Sequence, residues 1–156
     1  METLITYSES KVENEMDVQI KSKEFSFDTP NPFSYLIQEV ENFVSLQENW
    51  DGYKSVPVLP EIGEIAKNLF RILDARDIEN VSDIFPNPNG TISVEWENNL
   101  KEKLSLEIGE SNYSYFIKRQ NEPPTFVNGK DIFGDIKTIT AILDSLFGSK
   151  APSLIQ

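Results

Sequence analysis

Thr91-Ile92-Ser93-Val94-Glu95-Trp96-Glu97 alternates apolar and polar residues without a break, placing Ile92, Val94 and Trp96 on one parity. A period of two over this length is the signature of a strand with one buried and one wet face. The same pattern follows in Lys103-Leu104-Ser105-Leu106-Glu107-Ile108, and again in residues 113–118, where Tyr113, Tyr115 and Ile117 are in phase. Val81-Ser82-Asp83-Ile84-Phe85 is a fourth, shorter candidate, separated from the first run by Pro86-Asn87-Pro88-Asn89-Gly90, whose Asn-Gly pair is a strong turn signal. These runs predict an antiparallel meander of three to four strands. Keeping their apolar sets together pairs Trp96 with Leu104 and Val94 with Leu106, and sets Glu97 opposite Lys103 on the outer face. Pro123-Pro124 is expected to end the sheet.

Upstream of the strands the period is helical. Phe33, Leu36, Ile37, Val40, Phe43, Val44 and Gln47 recur at three- and four-residue spacing, after the punctuation of Asp28-Thr29-Pro30-Asn31-Pro32. A second helix carries Ile62, Ile65, Ala66, Leu69, Phe70 and Leu73 on its core face, entered through Pro60 and running to about residue 74 or 76. Downstream, Asp131 is a candidate cap for a last helix through Ile132, Ile136, Ile139, Ile142, Leu143, Leu146 and Phe147, closed by Gly148. The fold class is therefore α+β: two N-terminal helices, the meander, and a C-terminal helix packed on one face of the sheet. Residues 31–148 form one domain. Residues 1–30 read as a variable N-terminal arm, either an edge strand or partly disordered, and residues 149–156 as a frayed tail.

Between the first two helices stands Asn49-Trp50-Asp51-Gly52-Tyr53. An indole beside an Asp-Gly pair predicts a corner, with Asp51 closing a turn and Gly52 taking a positive φ. Trp50 is expected to share the core with Trp96. The alternative use of Trp50, Asp51 and Tyr53 is an exposed aromatic and acidic contact patch. Asn49-Trp50-Asp51-Gly52 followed by Pro57, then residues 88–96 and Leu106-Glu107-Ile108, resembles an uncharacterised bacterial family. Its members share a helix ending in an NWDG corner and a DG-I-x-L-E-W hairpin strand. The resemblance covers roughly residues 40–118. It implies the fold but no established activity or catalytic residue, and it implies an accessory, often mobile-element gene, sometimes near toxin-type genes.

Composition narrows the function classes. The chain has no Cys, which removes disulfides, thiol catalysis and zinc-thiolate sites, and no His, which removes imidazole acid-base and metal chemistry. With no phosphate-binding loop either, the chain is expected not to be an enzyme and to need no cofactor. Its 26 acidic against 14 basic residues give a net charge of −12, which opposes direct binding to nucleic acid or an anionic membrane and suits a partner with a basic surface. No apolar run is long enough to cross a bilayer, and the opening Met1-Glu2-Thr3-Leu4-Ile5 lacks a basic n-region, so a cytoplasmic location is expected.

Glu95, Glu97 and Glu107 fall on the outer parity of neighbouring strands. They are candidates for contact with a basic partner, or for holding a divalent cation in a carboxylate-metal enzyme. The first functional expectation is a small, acidic, non-catalytic protein-binding protein, an antitoxin- or immunity-like neutraliser of a toxin or nucleic-acid-binding effector. Other readings are a phage or mobile-element inhibitor of a defence system acting as a DNA mimic, and a type III secretion-like chaperone, for which a homodimer is expected.

Overall fold

In the computed structural model the described residues are 31–148, so the arm at 1–30 and the tail at 149–156 lie outside the described residues. The element order is α1 (Pro32–Val44), α2 (Pro60–Ile72), α3 (Ala75–Glu79), β1 (Val81–Pro86), β2 (Ile92–Glu97), β3 (Lys103–Ile108), β4 (Tyr113–Lys118), β5 (Thr125–Gly129) and α4 (Ile136–Phe147). The arrangement is α+β, with the described strands in one antiparallel sheet in chain order β1-β2-β3-β4-β5. Among the described residues there are five strands where the sequence predicts three to four.

The central register is the one that apolar matching demands: Trp96 opposite Leu104, Val94 opposite Leu106, and Glu97 opposite Lys103. Continuing the ladders puts Ile84, Ile92, Val94, Trp96, Leu104, Leu106, Ile108, Tyr113 and Tyr115 on one buried face. Against that face pack Leu36, Val40 and Phe43 of α1, Ala66, Leu69 and Phe70 of α2, and Ile139, Ile142, Leu143 and Leu146 of α4, all in one core. Each such fully buried aliphatic or aromatic side chain contributes about 1.5–3 kcal/mol.

The fifth strand follows Pro123-Pro124 instead of the prolines ending the sheet. Their missing N–H groups cost nothing outside the ladder, and the chain then pairs Phe116 with Phe126 and Tyr115 with Val127. At the other edge of the sheet among the described residues, β1 carries a register shift between Val81 and Asp83, a bulge of the kind that blunts an edge against further pairing.

Helix ends also depart from the sequence reading. The first helix stops at Val44, three residues before the predicted Gln47, because the Leu46 N–H turns back to the Phe43 carbonyl at 3.1 Å and tightens the last turn. α1 and α2 approach closely at Gly63, where an added Cβ would meet Val44 Cγ2 at 2.6 Å. Lys67 ties the pair by bonding both Glu41 at 2.6 Å and Glu64 at 2.9 Å. After α2 the chain makes the short helix α3, capped by Asp74, whose carboxylate accepts the Asp77 N–H at 3.0 Å. Asp131 does not cap the last helix. Its Oδ1 takes the Phe133 N–H at 3.0 Å in a preceding turn, and α4 starts at Ile136, with Asp135 at the cap position.

α3 is the joint of the molecule. Trp96, fully buried, donates its indole N–H to the Asp77 carbonyl at 2.8 Å. Arg76 bridges Asp77 at 3.0 Å and Asp144 of α4 at 2.8 Å, and also donates to the Gly148 carbonyl at the end of that helix. A guanidinium there meets both a carboxylate and the negative end of the helix dipole.

Candidate functional site

The four described helices all contribute to the one core, so the sheet face opposite it, built from the other strand parity, is the natural place to look for contacts. In register across it run Asp83, Glu95, Ser105, Phe116 and Phe126 in one row, and Phe85, Ser93, Glu107, Ser114 and Asn128 in the next. The face is mixed: short hydroxyl residues, carboxylates, and a Phe116–Phe126 ring pair with centroids 5.0 Å apart, of which Phe126 is 75% exposed. A ring pair this close is worth about 0.5–1.5 kcal/mol beyond its burial, so it supports β5 while leaving apolar area in solvent.

The three sequence-selected carboxylates share this face but do not converge. Glu95 accepts from Lys103 Nζ at 3.2 Å and from Ser105 Oγ at 3.0 Å. Glu97, the in-register partner of Lys103, is exposed, and the ion pair forms diagonally to Glu95 instead. Glu107 is held from the side by the β1–β2 turn. Its Oε2 accepts from Thr91 Oγ1 at 2.6 Å and Asn89 Nδ2 at 3.2 Å, while Asn87 Nδ2 donates to Thr91 Oγ1 at 2.9 Å and Ser93 Oγ at 2.8 Å. That network explains how Ser93 is buried on an otherwise wet face. Among the described residues no group of three or more Asp or Glu is placed to hold a metal ion. Lys103 and Lys118, paired across the β3–β4 ladder, interrupt the carboxylates on this face, so they form no continuous acidic stripe here.

The corner is built as its residue types predict, except for the indole. Asn49 and Gly52 have φ of 64° and 81°. Asp51 Oδ1 accepts the N–H groups of Tyr53 at 2.8 Å and Ser55 at 3.3 Å, and Asn49 Oδ1 accepts that of Lys54 at 2.7 Å. The Tyr53 N–H is the main cause that holds the Asp51 carboxyl below its ordinary value. Trp50 is not in the core with Trp96. It is half-buried and spends its N–H on the Val56 carbonyl at 3.1 Å, bracing the loop rather than the sheet. Tyr53 is 86% exposed.

A backbone bond joins corner and sheet: the Val56 N–H reaches the Pro88 carbonyl at 2.7 Å. Gly90 lies under the same loop, with φ of 89° and a would-be Cβ 3.0 Å from the Pro57 carbonyl. The corner and the Asn-Gly turn are thus stacked, and through Asn89 the turn reaches Glu107. The structure brings Trp50, Asp51 and Tyr53 into one connected assembly with Glu107, and leaves Glu95 and Glu97 along β2 as a separate group.

Sequence reasoning missed Asn89, Thr91, Phe116 and Phe126 as surface features. The Asn89–Glu107 link was unreadable without the turn geometry, although the opposite parity of Phe116 in an otherwise apolar-in strand was a visible signal. No described helix is long and apolar enough to cross a membrane. Compared with known proteins, the chain matches no family model, no curated protein and no solved structure.

Proposed function

We propose that the protein is a small, acidic, non-catalytic protein-binding domain that neutralises a partner with a basic surface, in the manner of an antitoxin or immunity protein. The observation that carries this reading is the outer sheet face, where Asp83, Glu95, Glu97 and Glu107 lie on the strands to one side of a partly exposed aromatic pair on a chain of net charge −12. An aromatic anchor flanked by charge is the composition of interfaces that bind through a few buried side chains and gain speed from electrostatic steering. Phe116 and Phe126 supply the anchor, and the carboxylates select a cationic rim on the partner.

The DNA-mimic reading gains nothing from this face, because Lys103 and Lys118 sit among its carboxylates. The chaperone reading asks for an apolar groove. Of the exposed apolar side chains, Phe33 and Tyr35 lie on α1, Tyr53, Val56 and Leu59 on the connection to α2, and Ile72, Leu100 and Phe126 on three further segments.

The test is affinity capture from the source cell at low and high salt, comparing the full chain with Phe126→Ala and with the Asp83→Lys, Glu97→Lys double variant. The reading expects one basic protein that is released by salt and lost with both variants. Capture that survives salt and both variants would overturn it, as would recovery of the chain's own second copy as the only species bound through this face.

A further inference from the structure

The outer face ends, on its Glu107 side, in a cleft of about 540 Å³ lined by Glu107, Ser111, Asn112, Ser114, Asn128 and Lys130, with Tyr113 at its wall. Its origin is legible in the register. Glu107, Ser114 and Asn128 are direct neighbours on three adjacent strands, and the middle one is small, so the two longer side chains flank a gap. Two strand spacings separate the flanking positions, about 10 Å. The β3–β4 turn closes the end, with the Gly109 N–H bonded to the Asn112 carbonyl at 3.0 Å.

What distinguishes this cleft is its unspent hydrogen-bonding capacity. Glu107 Oε2 is satisfied by Thr91 and Asn89, which fix the carboxylate, but Oε1 has no partner among the described residues. The side chains of Ser111, Asn112, Ser114, Asn128 and Lys130 likewise make no hydrogen bond or ion pair within the described residues. By contrast, the strands that carry these side chains are held from the buried side, where Tyr113 packs against Gly129 and donates its hydroxyl to Asp135 at 2.6 Å. A positioned carboxylate facing amides and hydroxyls, in a volume typical of small-molecule sites, is a recognition surface for many weak donors and acceptors at once.

We propose that this cleft binds a neutral polyhydroxylated ligand of mono- or disaccharide size, with Glu107 accepting from ligand hydroxyls and Asn112, Asn128 and Lys130 donating. Neutrality follows from the charge balance: a chain at −12 repels an anion, and a lone Lys130 in a cleft that also holds Glu107 does not build a phosphate site. A compact cation would use Glu107 but leave the amides and hydroxyls unmatched. This cleft adjoins the protein-binding face proposed above and shares Glu107 with it, but the sugar titration and the capture experiment, whose variants spare Glu107, read the two separately, so either can fail alone.

The test is a backbone amide NMR titration of the full chain with glucose, galactose, N-acetylglucosamine and the disaccharides maltose, lactose and chitobiose at millimolar concentration. Glycine and inorganic phosphate serve as charged controls. At least one sugar is expected to move the resonances of residues 107–114 and 128–130 and leave those of the helices in place. Glu107→Ala should weaken that binding about tenfold or more, the loss of a hydrogen-bonded charged group. Ser114→Leu, which fills the gap from the wet side of the sheet, should abolish it with the rest of the spectrum preserved. Silence with all six sugars would overturn the proposal. So would a response to glycine or phosphate alone, or sugar shifts that persist in both variants.

Discussion

The ring of Tyr113 lies flat against the backbone of Gly129, its partner across the β4–β5 ladder. A Cβ built on that glycine would stand 2.7 Å from Tyr113 Cζ and 2.8 Å from its hydroxyl oxygen. The aromatic ring covers the gap that a side-chain-free residue leaves in an edge strand, and it holds β5 to the sheet. Gly129→Ala is therefore expected to destabilise the fold by about 1–3 kcal/mol, the usual cost of overpacking. In a Tyr113→Leu background the same substitution should cost much less. Chemical denaturation of the four proteins of this double-mutant cycle measures the coupling directly.

The Tyr113 hydroxyl titrates far above the ordinary phenol range, first because it is buried and then because Asp135 accepts its proton and adds a negative charge beside it. A phenol whose folded pKa is raised contributes stability that is whole below the unfolded value near 10 and declines as pH rises above it. Alkaline unfolding should begin in that window, and Tyr113→Phe should flatten the slope there. Following stability against pH for both proteins checks this.

Asp51 gives the opposite dependence. Its folded pKa is depressed below 3.8, chiefly by the Tyr53 N–H, so the corner's contribution is present above the unfolded value and lost as pH falls through the folded one. Carboxyl NMR titration should place Asp51 among the more acidic carboxyls of the chain. Asp51→Asn should remove the acid-dependent step while retaining an oxygen acceptor for the turn.

The two tryptophans should report different environments. Trp96, wholly buried with its N–H on the Asp77 carbonyl, should emit in the blue and resist acrylamide quenching, whereas half-buried Trp50 should be quenched readily. Trp96→Phe is expected to cost about 2–4 kcal/mol through lost volume and an orphaned carbonyl, and Trp50→Phe about 1 kcal/mol through the loss of one loop hydrogen bond.

Arg76→Ala removes the guanidinium from Asp77, which is fully buried, and uncouples α3 from α4. Breaking such a pair costs about 3–5 kcal/mol, and the lower end applies because a quarter of the Arg76 side chain is exposed. Hydrogen exchange should rise first in the last turn of α4, where Arg76 meets Asp144 and Gly148.

Legibility in the sequence followed local regularity. β2, β3 and β4 and their register could be read because their inward residues are apolar and their outward ones, Phe116 apart, polar. β5 hid because its largest apolar residue, Phe126, points outward while Thr125 and Gly129 flank Val127 at the inward positions, breaking the pattern that identifies a strand. α3 hid because one turn of helix carries no period. The indole of Trp50 was assigned to the core on size alone, but its hydrogen bond to Val56 keeps it at the loop. The carboxylates were assigned correctly to one face; that Glu95 would take Lys103, and Glu107 a turn amide, depended on side-chain reach that strand parity does not encode.

Every rung of the sheet joins neighbours in sequence, so each hairpin closes over a short turn and loses little chain entropy in doing so. The bond from Arg76 to Asp144 instead spans 68 residues. Formation of the fold should accordingly be paced by the arrival of the last helix on a sheet already zipped, a late step governed by topology rather than by strand pairing. On the ribosome, the hairpins can assemble as they emerge, while the buried face beside Trp96 waits for the final helix to be synthesised before it is fully covered.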